Sequence, residues 1–449
     1  MFRRILIANR GEVAARVMAT CKRMGVQVVA VASAADRDLG FLQDADEVVL
    51  LGGARSAQSY LDQDALIEAA RHTGCTALHP GWGFLAENAT FAARCEALGL
   101  TFIGPGAHVM RSMGDKVQAR ATMGGLGMPL IPGSPGPVES LAEAQEQVDQ
   151  VGLPVLLKAA AGGGGRGMRR VLAADQLSDA FDAATAESVA CFGNGQLYLE
   201  RLILGGRHIE FQVLVDRFGN AVHLGERECS IQRRHQKLLE ESPSPALSAA
   251  QRAEVGALVA GIAARAGYVN AGTIEMLRDA TSGDLYFMEM NTRLQVEHPV
   301  SEAITGVDLV EQQLRIAAGQ PLAFTQDEIT FQGHAIEARI NAEDPDADFR
   351  PSPGTITRLV LPTGPGIRVE THLREGDTVS PHYDSMVAKV IAHGADRDQA
   401  LDRLAQALRE LVVEGIQTTV PLQLRVLADA EFRSGTYDTS TLDRILEVS

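Results

Sequence analysis

The sequence predicts a mixed architecture, in which an α/β unit with a doubly wound parallel sheet comes first and α+β units follow. Three observations lead there. Short β-rich runs alternate with helical patterns over the first hundred or so residues, a Pro/Gly-rich patch at 129–137 breaks that alternation, and later strands fall at hairpin spacing. At 449 residues, with 45% hydrophobic and 22% charged content, the chain is long enough for two or three packed units with ample core.

The first unit is expected to hold strands at 4–8, 27–32, 76–79 and 101–104, with helices at 12–24, 62–72 and 88–98 between them. Its first strand ends in Ala8-Asn-Arg-Gly11 and lacks the G-x-G-x-x-G turn of dinucleotide folds, which argues against a nicotinamide enzyme. Beyond residue 137, strands at 154–158 and 168–172 flank a loop holding Gly162-Gly-Gly-Gly165 and Gly167. Strands at 208–215, 221–226, 272–277 and 285–291 follow, and from about residue 331 come strands at 334–341, 354–361 and 387–392 and a helix at 397–412. There is no internal repeat and no low-complexity tail.

Composition excludes several classes. A net charge of −16 is unsuited to a general nucleic-acid surface, although a small anionic substrate remains compatible with locally gathered cations. The five cysteines form no C-x-x-C pair and no zinc-spaced cluster, so reduced thiols are expected. No secretory signal and no run of about 18 apolar residues is present, so the expectation is a soluble cytoplasmic protein with no membrane partner. Only five of the 41 basic residues are lysines: Lys22, Lys116, Lys158, Lys237 and Lys389. Three of them, Lys116, Lys158 and Lys237, sit in unusual local sequences, and lysine is the mobile point charge that follows a phosphate through a reaction.

The pattern that carries most chemistry is Thr273-Ile-Glu275-Met-Leu277 followed by Leu285-Tyr-Phe-Met-Glu289-Met-Asn291. A hairpin turn over 279–284, centred at Ser282, sets Glu275 opposite Glu289. Two carboxylates roughly 5 Å apart on adjacent strands destabilise the pair unless something neutralises them. A hard divalent cation does so, and Asn291 on the same face adds a third oxygen, whereas a solvated strand face is the alternative. Polar residues then continue at period two through Arg293, Gln295 and Glu297, enough to hold a small anion and remove its proton. The glycine segment has no Walker A ending; with Lys158 at its base and Arg166 within it, it suits a phosphate lid, and a flexible linker fits it as well.

Arg10-Gly-Glu12, His79-Pro-Gly-Trp-Gly-Phe-Leu85, Gly114-Asp-Lys116, residues 162–168, Glu226-Arg-Glu-Cys-Ser-Ile-Gln-Arg-Arg-His-Gln-Lys237 and residues 288–300 together resemble the biotin carboxylase family of the ATP-grasp superfamily. The likeness spans nearly the whole chain. It implies an N-terminal α/β domain over 1–113, an ATP-grasp domain over 114–330 with a glycine-rich lid at about 131–203, and a C-terminal mixed, β-rich domain over 331–449.

By the same resemblance, ATP is held by Lys116, Lys158, Gly163, Gly164, Gly165, Glu200, Leu202, Ile203, His208, Gln232, His235, Glu275 and Glu289. Glu275, Glu289 and Asn291 hold Mg2+ or Mn2+. Lys237, Arg293, Gln295 and Val296 receive bicarbonate, Glu297 takes its proton, and Arg339 steadies the biotin enolate near Trp82.

Departures from the family pattern are Trp82 for tyrosine, Ala86 for serine, Ala161 for glycine and Arg201 for lysine. None removes a catalytic group. Lys22 reads as a solvated residue, and Lys389 as structural. No lysine lies in a Met-Lys-Met sequence, so the implied substrate is biotin on a separate carboxyl carrier protein, with a carboxyltransferase subunit and homodimerisation as further expectations. The alternatives are a subunit serving a pyruvate or other keto-acid carboxylase, a carbamoyl-phosphate-type ligase, and a non-catalytic nucleotide-binding scaffold.

Overall fold

In the N-terminal part, strands Arg4–Ile7, Gln27–Ser33, Glu47–Gly52, Ala77–His79 and Thr101–Phe102 form one parallel sheet, with Arg4–Ile7 at its centre. The computed structural model describes residues 1–160 and 167–447. Alternation along the central strand builds layers on both faces. Ile5 and Ile7 pack with Val13 and Val17 of the helix Gly11–Arg23, while Leu6 packs with Leu66 of Gln63–His72 and Phe91 of Ala89–Ala97. The last two helices start where sequence chemistry says they should, since the Asp62 and Asn88 side chains accept from the Ala65 and Phe91 amides. The edge strand Glu47–Gly52 was absent from the sequence expectation; it is largely exposed, with Leu50 at 60%.

Strands Val155–Ala159, Met168–Val171 and Leu197–Arg201 form a small antiparallel sheet backed by helices Leu141–Val151 and Leu177–Phe192. The strand at 197–201 had not been expected.

The site rests on a larger antiparallel sheet, ordered Leu285–Asn291, Asn270–Arg278, Arg207–Val215, Ala221–Arg233, Gln236–Ser242, His334–Asn341, Met386–Gly394 and Ile367–Thr371. Along Arg207–Val215, Ile209, Phe211, Val213 and Val215 join the core under the helix Ala249–Arg265. His208, Glu210 and Gln212 alternate with them and therefore face the other way. The sheet does not stop near residue 331: Leu239 pairs with Ala338 and Glu240 with Glu337, so central and C-terminal strands share one ladder. The expected strand at 354–361 is divided instead between Gly354–Thr355 and Arg358–Val360, which pair with different partners on either side of the buried Ile356.

Candidate active site

Register assembles the site. Glu275 is opposite Glu289 on one side and opposite Glu210 on the other, and Glu210 is opposite Arg227. The expected facing of Glu275 and Glu289 is thus present, with a bulge at Met288 that the sequence does not announce. The bulge explains why Phe287 and Met290, three residues apart, both enter the same core.

Lys237, on Gln236–Ser242, lies among three carboxylates. Its Nζ is 2.5 Å from Glu210, 2.9 Å from Glu275 and 2.6 Å from Glu297. Burial works against its charge, but Glu210, Glu275 and Glu297 hold the ammonium well above the ordinary lysine range. Burial likewise raises the Glu297 carboxyl, yet Lys237, Arg339 and Arg227 bring it well below the usual carboxylate range. Glu210 goes the other way, because burial and the neighbouring Glu297 and Glu275 charges outweigh Arg227 and Lys237. Arg339 grips Glu297 at 2.9 Å and Glu240 at 2.5 Å, which places its guanidinium beside the proposed base.

The run expected to bind an anion is only partly joined to this centre. The Arg293 guanidinium donates to Glu87 at 2.9 Å, and Glu87 also accepts from the Thr292 amide. Gln295 is buried, and its Nε2 has no hydrogen-bond partner among the described residues. The Val296 carbonyl accepts from Lys389 at 2.9 Å. Trp82 is half-buried, its ring 6.3 Å from that of His298. Its loop is held by Asn9 Nδ2, which donates to the carbonyls of Pro80 and Trp82. Gly81 carries φ +64° there, and an added Cβ would meet Asn9 and Val13 at 2.8 Å, so glycine suits the close approach.

The residues expected to hold a nucleotide fall into two groups. His208 lies 3.1 Å from Glu275 and bonds to Gln232, while Lys116 pairs with Glu289 at 3.1 Å. Lys158 and Arg120 both bind Glu200 on the small sheet, and Leu202 and Ile203 follow that strand, the Leu202 amide donating to Pro154. His235 is exposed at the tip of the hairpin, with left-handed φ of 66°. Gly163, Gly164 and Gly165, with Ala161 and Arg166, lie outside the described residues. Arg201 pairs with Asp279 at 3.1 Å, away from this centre, and Ala86 is buried.

The donor set of Glu275, Glu289 and Asn291 is all oxygen-bearing and suits Mg2+ or Mn2+. Asn291 Nδ2 donates to Glu275 at 2.7 Å, which keeps the amide beside the carboxylates. Sequence reasoning missed Glu210, Arg227, Glu240 and Glu87. Glu210 was detectable, since His208, Glu210 and Gln212 repeat the period-two polar pattern used at 289–297. Glu87, Arg227 and Glu240 reach the site through contacts that local spacing does not show.

Residues 1–110 match the model of the biotin carboxylase N-terminal domain and 337–444 that of the biotin carboxylase C-terminal domain. Residues 115–325 match the ATP-binding domain of the carbamoyl-phosphate synthase L chain. The chain is 49% identical over 447 residues to a biotin carboxylase of Allochromatium vinosum, covering 99% of both chains. Among solved structures it is similar to the biotin carboxylase–βγ-ATP complex of Campylobacter jejuni, with TM-score 0.95, 44% identity and 99% of each chain covered. It is also similar to the dimeric biotin carboxylase domain of the Hydrogenobacter thermophilus 2-oxoglutarate carboxylase, in complex with MgADP, ADP and bicarbonate, with TM-score 0.94, 46% identity and 99% of each chain covered.

Proposed function

The chain belongs to the biotin carboxylase family and is an ATP-dependent ligase that carboxylates biotin with bicarbonate, and from that premise we propose how its residues divide the work. The observation that carries the assignment is the junction at Glu297, which accepts from Lys237 on one side and Arg339 on the other. A buried carboxylate between two cations has its own proton acceptor and two positive groups for developing negative charge.

Glu297 takes the bicarbonate proton, with Arg293, Gln295 and the Val296 backbone receiving the anion. Lys237 follows the γ-phosphate as it moves to bicarbonate. With Lys237 turned from Glu297 toward those oxygens, the carboxylate regains basicity, because the largest of the three charges that depress it has moved away. Lys116, Lys158, His208 and Gln232 bind the nucleotide, with Gly163, Gly164 and Gly165 over its phosphates and Glu200, Leu202, Ile203 and His235 around the base and ribose. Glu275, Glu289 and Asn291 would hold a divalent cation, which would supply neutralising charge to the phosphates. Carboxyphosphate formed in this way releases carbon dioxide and phosphate; the phosphate accepts the ureido proton of biotin, and Arg339 steadies the enolate that captures carbon dioxide.

The division into 1–113, 114–330 and 331–449 remains our working partition, supported by the boundaries of the three family matches. We also infer a homodimer, which the dimeric Hydrogenobacter domain supports, and a biotin substrate carried on a separate carrier protein that a carboxyltransferase then discharges to an acyl-CoA. That relative belongs to a 2-oxoglutarate carboxylase, so a keto-acid acceptor stands as the second reading. A carbamoyl-phosphate ligase is disfavoured, because that match ends at residue 325 and Arg339 lies in the biotin carboxylase match. No helix among the described residues is long and apolar enough to cross a membrane, which is compatible with a cytoplasmic location.

The test is ATP hydrolysis with bicarbonate, with and without free biotin, in wild type and Glu297→Gln. Biotin-dependent turnover that falls about 10²–10⁴-fold in the variant is expected for loss of a general base. ATP turnover indifferent to both biotin and bicarbonate overturns the assignment.

A further inference from the structure

Lys389 is a lysine with no solvent exposure at all, and the reaction as derived gives it no task. Its ammonium donates to the Val296 carbonyl at 2.9 Å and forms ion pairs with Glu370 at 2.7 Å and Glu12 at 3.0 Å. The Trp82 ring lies 5.0 Å from the same nitrogen. These groups come from distant parts of the chain: a helix and a loop of the N-terminal part, the loop that carries Glu297, and an edge strand of the large sheet. Lys389 is also the cross-strand partner of Arg339. Adjacent cations on one face of the sheet therefore grip adjacent groups, Arg339 the Glu297 carboxylate and Lys389 the carbonyl that precedes it.

A packing role alone does not account for this arrangement. Burying a full charge is costly, and apolar side chains of similar volume often replace buried ion pairs without loss of stability. Glu370 supplies the counter-charge, since Lys389, Arg368 and Arg16 overcome its burial and hold it well below the usual carboxylate range. Glu12 sits in the raised range, pushed up to about 8 by burial against Lys389. The hydrogen bond that the ammonium donates goes to a main-chain carbonyl beside the proposed base, and the ring below it stands where the family pattern has tyrosine.

We propose that Lys389 is a positioning residue for carboxylation, holding the Val296–Glu297 peptide and the Trp82 ring in fixed relation so that bicarbonate and biotin meet a preset surface. The inference rests on the proposed roles of Val296 and Glu297 in bicarbonate binding, and it adds a residue that touches neither substrate.

Lys389→Met is the direct variant. Because it takes the cation from buried Glu12, while Glu370 keeps Arg16 and Arg368, and can fail to fold, the double variant Glu12→Gln/Lys389→Met accompanies it, removing that acid with the base. Steady-state kinetics should show the KM for bicarbonate rising about tenfold or more and kcat falling in either folded variant, with the KM for MgATP within about twofold of wild type. Trp82 is the only tryptophan, so its emission gives a second readout without turnover. Titrating bicarbonate in the presence of MgADP should shift that emission in wild type, with the midpoint displaced to higher bicarbonate in the double variant. Unchanged bicarbonate parameters in the folded double variant overturn the proposal, as do bicarbonate and MgATP parameters that move together, or wild-type emission indifferent to bicarbonate. Wild type that binds bicarbonate by emission but shows no biotin-dependent ATP turnover instead sinks the functional assignment and leaves the midpoint comparison to decide for Lys389.

Discussion

Glu210 shows how the site's charges depend on one another. Its carboxylate is fully buried and serves Arg227 at 2.5 Å and Lys237 at 2.5 Å, so removing it leaves Arg227, which is also fully buried, short of its counter-charge. An uncompensated buried charge is strongly destabilising. Glu210→Gln keeps an acceptor for Arg227 but not the charge, and should cost about 3 kcal/mol of stability, read by urea unfolding. Arg227 also donates to Gln212, Ser301 and Thr273, so it holds several strands and a helix start together. The double variant Glu210→Gln/Arg227→Met should lose less than the two single variants combined, since each single change already removes the shared ion pair. Additive losses would mean the two residues act separately. At this scale the sequence was partly legible: the polar alternation exposed Glu275, Glu289, Asn291 and Glu297, whereas Arg227 and Glu240 show their roles only once distant strands are adjacent.

The hairpin of Asn270–Arg278 and Leu285–Asn291 is the element whose geometry was most legible, because its turn is local and its centre sets the pairing. The bulge at Met288 was not, since it answers to packing against the core under the helix Ala249–Arg265. The hairpin also separates two kinds of proposed metal ligand. Glu289 has 40% side-chain exposure and pairs with Lys116, whereas Glu275 is buried and binds Lys237, His208 and Asn291. Glu289→Gln should therefore raise the Mg2+ concentration for half-maximal activity by roughly tenfold or more while leaving the melting temperature near wild type. Glu275→Gln should raise the Mg2+ requirement and also lower the melting temperature, because it removes the buried carboxylate beside Lys237. Equal melting temperatures for the two variants would contradict that division.

For the whole molecule, the N-terminal α/β alternation was readable because strand and helix patterns follow one another locally, but the join of Gln236–Ser242 to His334–Asn341 was not. Nothing in either segment names the other, and about a hundred residues of chain lie between them. Similar long-range closures bury groups whose titration then reports on the assembly. His79 ends the fourth strand of the parallel sheet in sequence order, accepts the Gly81 amide at Nδ1, and meets Gln313 of the helix Leu309–Ala317 at Nε2. Burial, outweighing the Gln313 bond, lowers its pKa from 6.5 to about 4. The unfolded chain thus takes up this proton first, so the neutral form's contribution is fully present above pH 6.5 and is lost as pH falls toward about 4. Raised carboxyls such as Glu12 and Glu240, at about 8 and about 7, pull in the opposite direction over the same range, so the wild-type profile alone does not isolate His79. The difference between wild type and His79→Gln does, because only one group is removed. That difference should be constant from pH 6.5 to 8 and should shift in favour of the variant by on the order of 3 kcal/mol as the pH falls to 4. Urea unfolding across the series measures it, and a difference that stays flat down to pH 4 would mean that His79 does not carry this part of the acid sensitivity.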